Sequence, residues 1–334
     1  MLTNENICVI ILANQPNYYM ERYLIMKTFI QCMIVVVMLS LALTFSACGR
    51  VLDAILPDLT ESETTEIVTA PDVEYSSVTF DKARTQYGPL ALVNEMHEYQ
   101  FPTQARQGLV NVWEYRIAHI GDNGVPAYKS AGPDLMLDGD AMTALHEWLS
   151  DFYKATGKSD IIISSTYRTY QEQESFGVPA GKSNHHTGYG VTLKVHDGNV
   201  TQNLVEIPAY YNWLTENAHQ YGFVVRYPDS KSAITGISDY LEHFHYVGYA
   251  PAVYMQQNYL CLEEFVETIK AYSHNNPLKV TGDDGQEWLI YYTACQGDMV
   301  SVQLPTNYEY TVSGDNDGGI IICVSLSDNS ILHE

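Results

Sequence analysis

The sequence predicts an α+β fold in which a main domain is followed by a small all-β region. Three observations support this. Residues 140–157 have the apolar spacing of an amphipathic helix, and strand-type runs between residues 161 and 273 do not alternate strictly with helices. After residue 277 the chain consists of short strand-type runs separated by Gly, Asp and Asn turns.

In the main domain, order is expected to begin at a short apolar run of strand type, residues 88–94. The following helix places Met142, Leu145 and Leu149 on one face, and Gly157 ends it. Further strands are predicted at 161–167, 191–195, 223–227 and 243–247, with helices at 170–176, 211–221, 251–257 and 262–273. The C-terminal strands are predicted at 278–281, 288–293, 300–304, 308–312 and 320–325.

The N-terminal segment has the composition of a lipoprotein-type export signal. Lys27 supplies a basic charge, residues 33–45 are almost wholly apolar, and small residues precede Cys48. We expect cleavage before Cys48 and lipidation of its thiol. Because an export signal begins at the N-terminus, Met26 is the expected start. An uncleaved transmembrane anchor is the alternative, although this run is short against the roughly 20 residues of a bilayer span.

These features divide the chain into four expected parts. Residues 1–47 form an upstream extension and signal peptide, and residues 48–77 form an acidic tether whose composition predicts disorder. Residues 78–273 form the main domain and residues 274–334 the small β domain. The expected location is extracytoplasmic and membrane-anchored.

Charge and cysteine content narrow the possible functions. The chain has 17 Lys and Arg against 40 Asp and Glu, a net charge of −23. Such an acidic chain repels polyanions, so nucleic acid is not expected as a partner. Beyond Cys48 only Cys261, Cys295 and Cys323 remain; they lack metal-type CxxC spacing, and their small, odd number excludes a disulfide framework. Cys295 and Cys323 could pair across a sheet or remain free.

Residues 182–192, Lys-Ser-Asn-His-His-Thr-Gly-Tyr-Gly-Val-Thr, carry the most informative pattern. They resemble the zinc-peptidase motif Ser-x-His-x-x-Gly-x-x-x-Asp, in which the His and the Asp bind zinc. Ser183 and His185 match this motif, whereas Thr192 occupies the Asp position. A neutral hydroxyl therefore stands where the motif has an anion.

Together with residues 164–173 and 226–248, this motif resembles the zinc D-alanyl-D-alanine carboxypeptidase family, which includes vancomycin-resistance carboxypeptidases. The resemblance covers about residues 88–268 and implies the fold of that family for the main domain. It also implies substrate contacts for Arg168, Gln173 and Ser183. Zinc peptidases need three protein ligands, an open fourth position for water and a nearby base. In the family these ligands are the motif His, the motif Asp and a later His in Glu-x-x-His.

The later histidine depends on the alignment register. Without a gap, the family His falls on His243 and its Glu on Tyr240, so the base is lost. With a two-residue deletion, Glu242 becomes the base and His245 the ligand. Residues two apart in a strand share a face, so His243 and His245 could both point at the site. We favour the ungapped register, because a deletion inside a core strand disturbs its pairing.

The resemblance and the changes at the site lead to a preferred hypothesis and two alternatives. We expect a lipid-anchored protein of the family that binds peptidoglycan stem peptides, holds zinc weakly or not at all, and has lost most or all hydrolytic activity. The first alternative is an active zinc carboxypeptidase that removes terminal D-Ala. Its ligands would be His185 and His245, with His243 as a compensating third ligand, and its base would be Glu242. The second is an adhesion or scaffold protein that acts through the C-terminal β region.

Overall fold

The computed structural model describes residues 72–121, 124–177 and 179–327. These described residues belong to one compact unit. The signal-type segment and Cys48 lie outside the described residues. In the described ranges, no helix is both long and apolar enough to cross a membrane.

The strands are β1 (Tyr75–Asp81), β2 (Leu109–Asn111), β3 (Lys129–Ser130), β4 (Met136–Asp138), β5 (Ile161–Ser165), β6 (Gly190–His196), β7 (Thr201–Asn203), β8 (Phe223–Val225), β9 (His243–Tyr246), β10 (Leu278–Thr281), β11 (Glu287–Ala294), β12 (Met299–Pro305), β13 (Tyr310–Gly314) and β14 (Gly319–Ser325). The α-helices are α1 (Val112–Ala118), α2 (Gly139–Thr156), α3 (Tyr170–Ser175), α4 (Pro208–Asn217), α5 (Ser232–Thr235), α6 (Tyr249–Asn258) and α7 (Leu262–Ile269).

A central sheet with the strand order β3-β5-β6-β9-β8 positions the motif residues, and β7 adds to β6. Strands β5, β6, β9 and β8 pair antiparallel, whereas β3 pairs parallel with β5. Helix α2 covers this sheet with the apolar face expected from the sequence. Its Trp148 is fully buried and stacks on Phe223 of β8, with the ring centroids 5.2 Å apart. The sequence-based α+β class is confirmed.

Helix α2 ends where its sequence predicts. Gly157 is the C-cap in the left-handed conformation (φ 69°), and its N–H donates to the carbonyl of Tyr153. We expect Gly157→Ala to lower the free energy of unfolding by about 1 kcal/mol, because a Cβ disfavours positive φ. Gly297→Ala is the matched control, since Gly297 has no positive φ and no atom near an added Cβ. Denaturant unfolding of both variants measures the difference, and equal stabilities would contradict this interpretation of the cap.

The C-terminal strands form a separate sheet, β10-β11-β14-β13, and β12 pairs with β1. This sheet shares a buried core with the preceding helices: Leu278 and Ile321 pack in one apolar cluster with Phe265 of α7. Strand β1 begins at Tyr75, inside the segment expected to be a tether, because its whole length pairs antiparallel with β12. Long-range pairing of this kind leaves no local signal in the sequence.

The structure differs from the expected strand at residues 88–94 and resolves the state of two cysteines. Residues 88–94 form no strand, although residues 90–93 are buried. Gly88 has φ 140°, and the backbone N–H of Leu92 donates to the carbonyl of Asp315 instead of a strand partner. Cys295 and Cys323 are both free thiols. Cys295 N–H donates to the carbonyl of Gly318, five residues before Cys323. Because a strand advances about 3.3 Å per residue, Cys323 lies too far from Cys295 for a disulfide.

Candidate functional site

The histidine motif folds as a short turn that buries His185. Residues Asn184–Thr187 form one turn of 3₁₀ helix, and the Ser183 hydroxyl accepts a hydrogen bond from the N–H of His185 at 3.4 Å. Gly188 closes the turn in the left-handed conformation, φ 76°. The chain then enters β6, which carries Thr192 back toward the turn.

Strand pairing brings Thr192 against the second histidine segment. Strands β6 and β9 pair antiparallel with Thr192 opposite His243. Thr192 Oγ1 lies 3.2 Å from His243 Nδ1, 3.4 Å from His185 Nε2 and 3.0 Å from the hydroxyl of Tyr240. His185 and His243 meet edge to face, with ring centroids 4.5 Å apart. The structure therefore brings together the four residues of the ungapped register.

The residues of the gapped register lie elsewhere. His245 Nε2 donates to the carbonyl of Pro89 at 2.7 Å, and its Nδ1 contacts the amide nitrogen of Asn184 at 2.8 Å. Both ring nitrogens are thus engaged away from Thr192. Glu242 is buried, and its charge contributes to raising the pKa of Tyr211 on helix α4, after burial and Asp229. Neither Glu242 nor His245 is among the described residues that line the cavity beside His185.

That cavity has a volume of about 400 Å³ and is the candidate binding site. It is lined, among others, by Arg168, Gln173, Ser183, His185, Tyr240 and His243. Lys182 and Glu95 also line it and form an ion pair with each other. All three residues assigned to substrate contact by the resemblance thus face one space with the two histidines.

Arg168 is held in place at the cavity by neutral partners. Its Nη2 donates to Ser165 Oγ at 2.6 Å, its Nη1 donates to Gln173 Oε1 at 3.1 Å, and its guanidinium lies 4.7 Å above the ring of Phe176. Gln173 is positioned by helix α3, which begins with a capping box at Thr169. Within the described ranges no carboxylate forms an ion pair with Arg168. The guanidinium is therefore available to an anionic ligand.

The histidines at the site are neutral. Burial lowers the pKa of His185 and His243 well below the ordinary histidine value, and the positive charge of Arg168 acts in the same direction. Burial and the charge of Arg226 lower the pKa of His245 to about 3. Each of these rings therefore has one N–H donor and one acceptor nitrogen at neutral pH.

The polar atoms that converge on Thr192 Oγ1 are two imidazole nitrogens and the hydroxyl oxygen of Tyr240. No group of three His, Cys, Asp or Glu residues suited to hold a metal ion occurs in the described part of the chain. His185 Nδ1 is buried and makes no well-aligned hydrogen bond; the backbone of Thr166 and Gly190 near this ring partly opposes the fall in its pKa.

The other polar residues near the motif have structural partners. His186 Nδ1 contacts the carbonyl of Arg168 at 2.8 Å, and its Nε2 accepts a hydrogen bond from the N–H of Gly181. His196 contacts the hydroxyl of Thr201, and Asp197 caps the turn between β6 and β7. These contacts explain why His186, His196 and Asp197 do not reach Thr192.

A buried polar network that the sequence did not reveal lies behind the histidines. Arg226 is fully buried and forms two hydrogen bonds to Glu263, at 2.9 and 2.7 Å. Its Nε lies 3.4 Å from Asn184 Oδ1, and Asn94 donates to the same carboxylate. Arg226 and Asn184 lie within the motif stretches but show no periodic pattern, so only long-range contacts reveal their connection.

Comparison with known proteins identifies the class of this domain. Residues 174–249 match the model of the VanY family, described as D-alanyl-D-alanine carboxypeptidase. The chain thus contains a D-alanyl-D-alanine carboxypeptidase domain of the VanY family.

Relatives and solved structures agree with this assignment. The chain is 26% identical to a D-alanyl-D-alanine carboxypeptidase of Enterococcus faecium over 254 residues, 74% of this chain and 78% of the relative. It is 27% identical to a D-alanyl-D-alanine carboxypeptidase of Enterococcus faecalis over 201 residues, 52% of this chain and 73% of that relative. A crystal structure of the vancomycin-resistance D,D-dipeptidase VanXYg with a D-Ala-D-Ala phosphinate analogue aligns with a TM-score of 0.64 at 25% identity, covering 75% of this chain and 99% of that one.

Proposed function

We propose that this protein binds peptidoglycan stem peptides ending in D-Ala outside the cytoplasm and has lost most or all hydrolytic activity. The observation that carries the proposal is the hydrogen bonding of Thr192. Its hydroxyl contacts His185, His243 and Tyr240 at the position where the family resemblance implies a carboxylate ligand. Hydrogen bonds between neutral groups take the place of the anionic ligand in the family's zinc site.

The donor set does not suit the zinc implied by the family. Catalytic zinc sites use His, Asp, Glu or Cys ligands, and here a neutral hydroxyl takes the place of the carboxylate. Loss of an outer-shell partner typically weakens metal binding by about 10- to 100-fold, and loss of an anionic ligand costs more. The cationic Arg168 acts on both histidines and adds to the unfavourable electrostatics. The residues present therefore do not fit a catalytic zinc ion.

The residue at the position of the general base also differs. Tyr240 occupies the place implied for Glu, and its hydroxyl is hydrogen-bonded to Thr192. A phenolic hydroxyl lacks the negative charge with which a carboxylate accepts a proton from water. The buried Glu242 is not among the described residues lining the cavity.

The binding chemistry is retained in this arrangement. A guanidinium pairs with a carboxylate through two parallel hydrogen bonds, so Arg168 suits the terminal carboxylate of a peptide. The cavity of about 400 Å³ falls within the usual range for small-ligand sites. The aligned structure of VanXYg was solved with a D-Ala-D-Ala phosphinate analogue, which supports a ligand of the same class here. The export-type signal and the lipidation of Cys48 would place the site at the cell envelope.

A paired assay of hydrolysis and binding tests this proposal. We expect the purified full chain, with added zinc, to release D-Ala from a stem pentapeptide no faster than the His185→Ala variant. Binding of the same peptide, measured by calorimetry, should survive zinc chelation. Release that is abolished both by chelation and by Glu242→Ala would instead establish an active enzyme with an unconventional ligand set.

A further inference from the structure

The amide of Asn184 lies between the two strand histidines of β9. Asn184 is only 2% exposed, and its Nδ2 is 2.8 Å from His245 Nδ1 and 3.1 Å from His243 Nε2. Its Oδ1 faces the Nε of Arg226 at 3.4 Å. One side chain thus contacts both rings, on the side of His243 opposite to Thr192.

The direction of each hydrogen bond in this network follows from two groups, one of which can only accept and the other only donate a hydrogen bond. A backbone carbonyl only accepts, so the contact between His245 Nε2 and the carbonyl of Pro89 places a proton on Nε2. The neutral ring of His245 then has an acceptor at Nδ1, which must face the NH₂ group of Asn184. Arg226 only donates and therefore faces the amide oxygen. The contacts with His245 and Arg226 therefore require the same orientation of the Asn184 amide.

That orientation determines the tautomer of His243. The second N–H of the Asn184 amide points at His243 Nε2, which must accept it. The ring proton then lies on Nδ1, which donates to Thr192 Oγ1 at 3.2 Å. We propose that Asn184 is a positioning residue that holds His243 in the Nδ1–H tautomer, so that the nitrogen facing Thr192 and His185 has no free lone pair for a metal.

This inference deepens the proposed function and rests on it. In metal centres, a histidine ligand almost always donates its outer N–H to a carboxylate, a carbonyl or water. Asn184 reverses that polarity, because a donor faces the outer nitrogen of His243. The site therefore differs from a zinc centre in two independent features, the hydroxyl of Thr192 and the amide of Asn184. Restoring a carboxylate at position 192 alone would leave the amide of Asn184 facing His243 Nε2.

Gly190 makes the close approach of this amide possible. A Cβ at Gly190 would lie 2.7 Å from Asn184 Nδ2 and 3.1 Å from His243 Nε2. The first of these distances is shorter than side-chain packing allows. The absence of a side chain in this residue of β6 therefore leaves room for the contact between Asn184 and His243.

The tautomer can be read directly by two-dimensional NMR of the metal-free full chain labelled with ¹⁵N at histidine. Long-range proton–nitrogen correlations distinguish the protonated from the unprotonated ring nitrogen, and loss of a signal set in His243→Gln assigns it. We expect a protonated Nδ1 and an unprotonated Nε2 for His243. A proton on Nε2 would overturn the proposal. This NMR experiment uses the unaltered chain and does not depend on the folding of an Asn184 variant.

Zinc affinity, measured by competition with a chelating dye, gives a second readout that is independent of activity. Asn184→Asp places an acceptor beside His243 Nε2, the polarity found in metal centres. We expect the double variant Thr192→Asp, Asn184→Asp to bind zinc about 10- to 100-fold more tightly than Thr192→Asp alone. Equal or weaker binding by the double variant would overturn the proposal.

The two experiments separate this inference from the proposed function. If the unaltered chain hydrolyses the stem peptide, the proposed function fails. The tautomer of the metal-free chain still tests the role of Asn184 in that case. If His243 instead carries its proton on Nε2 while the peptide is bound and not cleaved, the inference fails and the proposed function stands.

Discussion

Arg168→Ala is expected to weaken binding of a stem peptide ending in D-Ala by about 100-fold. Hydrogen bonds to a charged group contribute about 1.5–3 kcal/mol, and each 1.4 kcal/mol corresponds to a tenfold change in affinity. Arg168 is fixed by Ser165 and Gln173 before a ligand arrives, so little side-chain entropy is lost on binding. Calorimetric titration of the folded variant measures the loss.

Two controls distinguish carboxylate recognition from a general effect of charge. Lys182→Ala removes another cation that lines the same cavity, but Lys182 is paired with Glu95 and exposed, so we expect little change in affinity. Arg168→Lys keeps the charge and loses the planar pair of donors, and should give an intermediate affinity. Unchanged binding in Arg168→Ala would show that the peptide is held elsewhere.

Glu263→Leu is expected to lower the free energy of unfolding by about 3–5 kcal/mol, because it leaves the charge of Arg226 buried without a carboxylate to neutralise it. The Arg226 side chain is fully buried and that of Glu263 is 12% exposed, with 2.7 Å between Nη2 and Oε1. Chemical denaturation monitored by circular dichroism measures this change. Since Arg226 also contacts Asn184, the substitution acts on the histidine network as well.

The control for this prediction lies on the same helix. Glu267→Ala removes a carboxylate of α7 that pairs with Lys270 but is exposed, and it should cost less than about 1 kcal/mol. The double variant Arg226→Met, Glu263→Leu should recover stability, because apolar side chains of similar volume often replace a buried ion pair without loss. A loss below 1 kcal/mol in Glu263→Leu would contradict the prediction.

The same ion pair gives a pH dependence with a definite sign. Burial raises the pKa of Glu263, but the charge of Arg226 and hydrogen bonds from Arg226 and Asn94 outweigh it, so the net pKa is lowered. A carboxyl group with a lowered pKa stabilises the fold above the unfolded value, about 4.3 for Glu, and this stabilisation is lost as the pH falls through the folded pKa. Acid denaturation of Glu263→Leu should lack this contribution.

Local patterns were sufficient for most of the secondary structure. The apolar spacing of α2 and the turn residues that separate the strand-type runs of β10–β14 are short-range properties, so they can be recognised without knowing the partners of each element. The apolar run at residues 88–94 correctly indicated the burial of residues 90–93, but the predicted strand was wrong. An apolar run is equally compatible with a buried loop whose N–H groups find partners in a distant segment, as Leu92 does with Asp315.

The sequence by itself determined the family frame, the α+β class and the replacement of a carboxylate by Thr192, because these depend on residue identity and spacing along one chain. Only the tertiary structure decided which histidine faces Thr192. His243 and His245 point to the same face of β9, and strand alternation cannot separate them. The pairing of Thr192 with His243 and the engagement of His245 by Asn184 and Pro89 separate them, because hydrogen-bond partners are set by contacts between segments far apart in sequence.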